Sequence, residues 1–335
     1  MNKWLALSID RRIEILNQSS VRSGMRAHAI EKDWWVTLSL KAIFSGLWSS
    51  HLVFKGGTSL TKSWKLIDRF SEDIDLAINK TFLGFEGEAN KSKVERLRRN
   101  ASNFISHDFR DGLEKAIIAE GILEEQFKLS VKFGNDSIRD PQVLELTYSS
   151  VLEPDPNPYL KEKVIIEVGA RSLMEPSSQR ETNSIISESF PDSTFAEASF
   201  MIQCVDPKRT FLEKIFLLHE IFVLEGDTKA HERMSRHLYD VEKMMDTHHA
   251  TEALLDKRLY EEIIEHREAF NKVTGVNYEL HQPGTIDFIP PDSVIKTWES
   301  DYRDLQSNMI YGDSLSFDKL MERLKRLRDR FRVIN

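Results

Sequence analysis

Two segments of the chain combine residue types suited to phosphate and metal chemistry. The first, Lys-Gly-Gly-Thr-Ser-Leu, begins at Lys55, directly after a short apolar run. The consecutive glycines Gly56 and Gly57 let backbone N–H groups approach an anion closely, and a helix that begins there adds positive partial charge. Thr58 or Ser59 can add a hydroxyl donor. The segment therefore predicts a phosphate-binding turn between a strand and a helix.

The second segment carries two aspartates on one strand. Asp73 and Asp75 are two positions apart, so in a strand they point to the same face. Two close carboxylates repel each other unless a cation lies between them, and Mg²⁺ prefers oxygen ligands. Glu167 is a third candidate ligand, because it is a lone acid in the apolar run Val-Ile-Ile-Glu-Val-Gly. The alternative for Glu167 is an edge-strand or structural acid.

The order of these motifs is more informative than either motif alone. A Gly-Gly pair is a common turn, and Asp-x-Asp is often a solvated strand face. In succession, a strand, a glycine turn, a helix and an Asp-x-Asp strand place a phosphate cradle beside a Mg²⁺-binding pair. Such a metal bridges phosphate oxygens and neutralises the charge that develops during displacement. The pattern predicts a nucleotidyltransferase-type site.

The second half of the chain offers two further candidates. Lys214 falls among Leu217 and Leu218 in the apolar arc of a predicted helix, so it should need an anionic partner. A nucleotide phosphate or Asp240 would serve. The alternatives are a lysine that extends to solvent from the rim of the core, and a surface ion pair between Asp240 and Arg236.

Taken together, these motifs resemble the AbiEii/AbiGii toxin family of nucleotidyltransferases. That family is part of the DNA polymerase β-like superfamily and is related to the MenT toxins. The segments that carry the resemblance are Ile30–Trp35, Lys55–Leu60, Arg69–Leu76, Phe211–Ile215 and Arg236–Asp240. It covers about two-thirds of the chain and departs from the family at His237, where an acid is more usual, so we assign His237 no catalytic role.

The resemblance also implies roles for individual residues. The residues expected to bind the nucleotide are Lys55, Gly56, Gly57, Ser59, Arg69 and Ser71. The residues expected to be catalytic are Asp73, Asp75, Lys214 and Asp240, with Asp73, Asp75 and Glu167 as metal ligands. Asp240 would position Lys214 or act as a base. An ion pair with Glu72 is an equally simple role for Arg69.

The function that the resemblance implies is Mg²⁺-dependent transfer of a nucleoside monophosphate from an NTP to an acceptor hydroxyl. The expected acceptor is the tRNA 3′ end, in a toxin of a toxin–antitoxin or phage-defence system. A winged-helix antitoxin is the expected partner. Two alternatives stay open: transfer to a protein acceptor, as in AMPylation, and a non-catalytic nucleotide-binding module.

Hydrophobic periodicity predicts the elements that must position these residues. Helices are expected at 10–20, 26–47, 59–66, 91–120, 207–225, 231–247, 251–272 and 316–332. Strands are expected at 52–54, 74–78, 127–133, 142–148 and 163–168. The predicted fold class is α+β. We expect residues 1–200 to form a domain with a small mixed sheet and residues 201–335 to form a helical domain. The resemblance implies that the first is a polymerase β-like nucleotidyltransferase domain and that the second completes the active site.

Composition limits the classes of function and the cellular compartment that we expect. The 335 residues include 46 Lys or Arg and 54 Asp or Glu, for a net charge of −8, so the chain is no general nucleic-acid binder. One cysteine allows neither an intrachain disulfide nor a cysteine zinc cage, which favours the reducing cytoplasm. We expect no membrane span and no signal peptide. A basic segment at 319–332 is either a local RNA contact or a solvated helix face.

Overall fold

The computed structural model describes residues 3–132, 139–154, 160–224 and 232–333. The chain divides into two compact units. The first consists of Met1–Trp64 and Phe70–Val205, and the second of Lys65–Arg69 and Asp206–Asn335. The division falls at Val205, and the second unit includes a short stretch from the N-terminal part of the chain.

The first unit is built on a mixed sheet of seven strands. The strands are β1 (Leu52–Lys55), β2 (Asp73–Ile78), β3 (Phe127–Val131), β4 (Gln142–Tyr148), β5 (Lys163–Gly169), β6 (Ser177–Thr182) and β7 (Phe200–Val205). Their order across the sheet is β3-β4-β5-β2-β1-β7-β6. The fold is therefore mixed, with a larger sheet than the sequence predicts, because β6 and β7 were not expected. Residue 133 of the predicted third strand lies outside the described residues.

The first unit also contains α-helices, several of which pack against strands of this sheet. They are α1 (Ile9–Ser23), α2 (Ala27–Ser45), α3 (Gly56–Lys62), α4 (Lys91–Phe104), α5 (Arg110–Ala119) and α6 (Ile185–Ser189). The predicted helix at 91–120 is interrupted by a π-helical turn at Ile105–Phe109. Helix α3 begins at Gly56 rather than at Ser59, so the glycines form its first residues, and it ends at Lys62 rather than at Leu66.

Helix α2 is buried on nearly all sides, in contrast to the one-sided helix that its apolar spacing predicts. Every residue from Ala29 to Leu40 is buried, and three of these residues are charged. A helix surrounded in this way must satisfy its polar side chains with protein partners.

The second unit is helical in its described elements. These are α7 (Pro207–Val223), α8 (Ser235–Met244), α9 (His248–Leu255), α10 (Lys257–Phe270), α11 (Ile295–Asn308) and α12 (Phe317–Arg332). The predicted helix at 251–272 is two helices, because Asp256 ends α9 and caps α10 by accepting a hydrogen bond from Leu259 N (3.0 Å). Helix α11 was not predicted. Residues 225 and 231, at the ends of two predicted helices, lie outside the described residues.

Across the described ranges, no helix combines the length and the apolar composition needed to cross a bilayer.

Candidate active site

The glycine turn lies against the Asp-x-Asp strand. Gly56 follows β1 with φ +78°, a left-handed conformation that side chains other than glycine's rarely adopt. A Cβ atom at this position would lie 2.1 Å from Asp75 Oδ2, closer than any real contact. Glycine is therefore required at position 56 for two reasons, its backbone conformation and its contact with a predicted metal ligand.

Strand register aligns three charged residues across the middle of the sheet. Lys55 on β1 is directly opposite Asp75 on the antiparallel β2, and Asp75 is directly opposite Glu167 on the parallel β5. Residues in such a row project from the same face of the sheet. Since β5 lies between β4 and β2, the edge-strand alternative for Glu167 is wrong.

The acidic residues provide the right chemistry for Mg²⁺. Asp73, Asp75 and Glu167 are each partly exposed, and their oxygen atoms are the ligands that this ion prefers. Within the described ranges, no three acidic, histidine or cysteine side chains are gathered closely enough to hold a metal ion as they stand. The carboxylate oxygens and the strand register thus fit Mg²⁺, but the side chains are not arranged as a complete coordination shell.

Hydroxyl groups connect the glycine turn to the strand. Thr58 Oγ1 lies 2.8 Å from Ser71 Oγ and also contacts the backbone carbonyl of Asp73. Ser59 is fully buried, and its hydroxyl donates to Gly56 O (2.9 Å). In this arrangement Ser59 stabilises the turn, and the hydroxyl of Thr58 fixes the turn to the start of β2.

A separate cluster of charges forms within the second unit. Arg69 makes a two-pronged ion pair with Asp240, from Nε to Oδ1 (2.7 Å) and from Nη2 to Oδ2 (2.8 Å). Lys214 Nζ lies 2.9 Å from Asp240 Oδ2. Asp240 has no solvent exposure, so the surface pair with Arg236 is wrong. Of the two anionic partners expected for Lys214, the structure places Asp240 beside it.

Electrostatics fix the protonation of this cluster. Burial alone would raise the pKa of Asp240, but the charges of Arg69 and Lys214 hold that pKa far below its usual range. Burial lowers the pKa of Lys214, and the nearby Arg69 adds to this, while Asp240 opposes it. Asp240 stays ionised at neutral pH and is a poor proton acceptor. Of its two proposed roles, positioning Lys214 is the better supported.

A match to a protein-family model identifies the family of this chain. A family model described as nucleotidyl transferase AbiEii toxin, type IV toxin–antitoxin system, matches residues 39–323. The chain belongs to the AbiEii family. The nucleotidyltransferase resemblance is thereby confirmed, and the type IV assignment implies an antitoxin partner.

The AbiEii match covers a different range from the motifs noticed in the sequence. It begins at residue 39, after Ile30–Trp35, and it includes most of the region beyond residue 250, where no motif was recognised. No curated protein matches the chain. Among solved structures, the crystal structure of JHP933 from Helicobacter pylori is similar, with 12% identity and a TM-score of 0.42 over 88% of this chain and 89% of that chain.

One member of the charge cluster in the second unit was not expected from the sequence. His237 Nδ1 lies 3.2 Å from Lys214 Nζ, so the lysine can donate to the ring. Burial and the charge of Lys214 lower the pKa of His237 well below its ordinary value, which keeps the ring neutral. The sequence did offer a signal for this contact. His237 precedes Asp240 by three residues, and residues three apart lie on the same face of a helix.

The basic helix near the end of the AbiEii match is largely neutralised by acids. Arg323 pairs with Glu242 and Asp246 (2.6 Å each), and Arg330 also pairs with Asp246 (2.8 Å). Arg328 pairs with Asp287 in the same unit (3.0 Å). These contacts favour a structural role for α12 over the RNA contact considered from sequence.

Proposed function

We propose that this AbiEii chain transfers a nucleoside monophosphate from an NTP to an acceptor hydroxyl in a Mg²⁺-dependent reaction. The main observation in support is that Asp75, Glu167 and the glycine turn lie in one row. Gly56 contacts Asp75, and Asp75 is in register with Glu167. The glycine turn and the candidate Mg²⁺ ligands are therefore neighbours in the first unit, which supports the proposal.

The proposed reaction is a displacement at the α-phosphorus of the nucleotide. The acceptor oxygen forms a bond to this phosphorus, the bond to the β-phosphate oxygen breaks, and pyrophosphate leaves while the hydroxyl proton passes to solvent. Mg²⁺ bound by Asp73 and Asp75, with Glu167 as third ligand, would neutralise phosphate charge. The backbone N–H groups at Gly56 and Gly57 would hold the triphosphate, and Lys55 and Ser71 would flank it.

The buried cluster of the second unit supports a phosphate-binding role for Lys214. Arg69 and Lys214 bring two positive charges to the single carboxylate of Asp240, and His237 adds none. A buried lysine that shares its carboxylate with a second cation favours a further anion. We assign Lys214 to neutralising nucleotide phosphate and Asp240 to holding Lys214. Arg69 acts with Asp240 rather than by touching the nucleotide.

We propose tRNA, at its 3′ end, as the acceptor. The test incubates the protein with each α-³²P-labelled NTP, Mg²⁺ and total tRNA, and follows the label by nuclease digestion. Wild-type protein should place label on the 3′-terminal nucleoside, and Asp73→Ala should not. The control is Asp111→Asn, because Asp111 is half-exposed and pairs only locally with Arg110.

Other outcomes of the same assay separate the alternatives. Label that migrates with protein would replace tRNA by a protein acceptor. Labelling by Asp73→Ala equal to wild type would refute the proposed catalytic site. NTP binding without turnover in wild type would indicate a non-catalytic module.

The toxin role is tested in cells. The type IV family implies an antitoxin, and we propose that it is a winged-helix protein encoded next to this chain and that the pair acts in phage defence. Induced expression should stop growth, Asp73→Ala should restore it, and co-expression of the neighbouring protein should protect. Growth arrest that persists in Asp73→Ala would separate toxicity from nucleotidyl transfer.

A further inference from the structure

Helix α2 buries three consecutive charged residues. Glu31, Lys32 and Asp33 are exposed by only 4%, 2% and 3%, respectively. Successive residues of a helix point about 100° apart, so these side chains reach three different surroundings. Buried charges destabilise a protein unless they are paired, and replacing a buried pair with apolar groups is often neutral or stabilising. Their presence therefore needs an explanation other than stability.

Lys32 connects the starts of two strands. Its Nζ atom donates to Glu72 Oε2 (2.5 Å) and to Lys161 O (3.0 Å). Glu72 directly precedes β2, and Lys161 lies two residues before β5. The two strands that carry the acidic row are thus fixed to one ammonium group.

Asp33 connects α2 to the helix that follows the glycine turn. Its Oδ1 atom accepts from Lys62 Nζ (2.5 Å), and both side chains are about 95% buried. Lys62 is the last residue of α3, whose first residues are Gly56 and Gly57. The other oxygen, Oδ2, accepts from Ile185 N (2.8 Å). The position of the glycine turn is thereby coupled to α2.

Glu31 differs from its two neighbours in what it contacts. Its carboxylate accepts from Ser150 Oγ (2.5 Å) and Val151 N (2.9 Å), on the segment after β4. Neither partner adjoins a predicted site residue. Glu31 therefore provides a control with the same helix and the same burial.

We infer that Lys32 and Asp33 are positioning residues for the metal and nucleotide site, because they hold β2, β5 and α3 in one arrangement. This inference rests on the proposed function. Neither residue touches the nucleotide or the metal ligands in our assignment; each acts through a neighbour of the site. Transfer reactions are sensitive to such placement, since a shift of about 1 Å can cost about a hundredfold in rate.

The decisive variant is the double replacement Lys32→Met with Glu72→Met. It exchanges a buried ion pair for apolar contacts, so the thermal midpoint should stay close to that of wild type. Nucleotidyl transfer should nevertheless fall by about tenfold or more. Asp33→Asn combined with Lys62→Met, which leaves no buried lysine without its carboxylate, should show the same loss of rate. Two controls are Glu31→Gln and Lys41→Met, the latter at a more exposed ion pair that α2 makes with Glu120. The transfer rate of each control should stay within about threefold of the wild-type rate.

Two further readouts do not depend on turnover. Mn²⁺ binding, followed by electron paramagnetic resonance, should weaken in the double variant and not in Glu31→Gln. Hydrogen exchange of the amides in α3 and β2 should be faster in the double variant at equal global stability. The inference is overturned if exchange, Mn²⁺ binding and transfer all match wild type, or if transfer changes only in proportion to the thermal midpoint.

These readouts also separate this inference from the proposed function. If wild-type protein labels no acceptor but the double variant loosens α3 and β2 and weakens Mn²⁺ binding, the proposed reaction is wrong and the positioning role stands. If wild-type protein labels an acceptor and the double variant does so equally well, the reaction stands and the positioning role is wrong.

Discussion

Asp75 and Glu167 are direct partners in the register of two parallel strands, so their carboxylates leave the same face of the sheet. This arrangement places two like charges side by side, and Lys55, in register with Asp75 on its other side, adds one positive charge to the row. Each is only partly buried, and water screens part of the repulsion. The pair is better explained by a ligand of positive charge than by a contribution to stability.

The variant Asp75→Asn tests this explanation. We expect the free energy of unfolding to rise slightly or to change by less than about 1 kcal/mol, because a repulsive charge is removed at a partly exposed site. Nucleotidyl transfer should fall by about a hundredfold or more, because a metal ligand is lost. Urea denaturation without metal measures the first effect and the labelling assay the second. A stability loss of several kcal/mol would instead show that Asp75 is a structural residue.

Gly56→Ala should both destabilise the protein and inactivate it. The φ of +78° strains any other residue by about 1–3 kcal/mol, and the new methyl group would displace the Asp75 carboxylate. Gly284→Ala is the matched control, because its Cβ would meet nothing within 4 Å. Thermal melting and transfer rates of the two variants should therefore differ clearly. Equal behaviour would contradict the close contact between the turn and Asp75.

Asp240→Asn should be among the most destabilising single substitutions in the second unit. It leaves the buried cations Arg69 and Lys214 without their carboxylate, a change that typically costs about 3–5 kcal/mol. The comparison variant is Asp246→Asn, whose partners Arg323 and Arg330 are partly exposed, so its cost should be about 1 kcal/mol or less. Chemical denaturation of both proteins measures the difference, and similar losses would exclude a buried role for Asp240.

The lowered pKa of Asp240 also predicts a pH dependence. A carboxyl whose pKa is lower in the folded state than in the unfolded state stabilises the fold above the unfolded value of about 3.9. That contribution is lost as the pH falls further, toward the pKa of the folded state. The difference in unfolding free energy between wild type and Asp240→Asn should therefore be constant from about pH 5 to 8 and shrink below about pH 4. A difference that instead shrank between pH 5 and 8 would contradict the assignment.

His237→Asp should shift the alkaline limb of the transfer reaction. Burial lowers the pKa of Lys214, and a carboxylate in place of the neutral ring, 3.2 Å away, would raise it. If protonated Lys214 neutralises phosphate, activity should persist to higher pH in this variant. His237→Asn, which adds no charge, is the control. A pH–rate profile unchanged in both variants would show that Lys214 does not govern this limb.

Much of the site could be predicted because its signals are local. The glycine pair, the two aspartates and the acid in an apolar strand are short patterns with a direct physical meaning, and the strands at 52–54 and 74–78 are confirmed by the structure. The register that sets Glu167 beside Asp75 depends on pairing between segments far apart in the chain. No local pattern encodes it.

The features that the sequence did not predict depend on contacts between distant parts of the chain. Strand β6, Ser-Ser-Gln-Arg-Glu-Thr, has no apolar alternation and exists because it pairs with β7. The sequence left two roles open for Arg69, nucleotide binding and an ion pair with Glu72, and the two-pronged pair with Asp240 was not among them. Likewise, the burial of Glu31, Lys32 and Asp33 could not be recognised from the sequence, because their partners lie far away along the chain. Tertiary context decides each of these cases.

The position of β1 in the sheet determines when the glycine turn acquires its final surroundings during translation. One neighbour, β2, follows closely in the chain, but the other is β7, where Phe54 pairs with Cys204. Chains emerge from the ribosome N-terminus first, and parallel pairing over such a separation is slow because a long loop must close. A nascent or truncated chain that ends before Phe200 thus lacks the pairing with β7 beside its glycine turn. We therefore expect the proposed transfer activity only in chains that extend through β7.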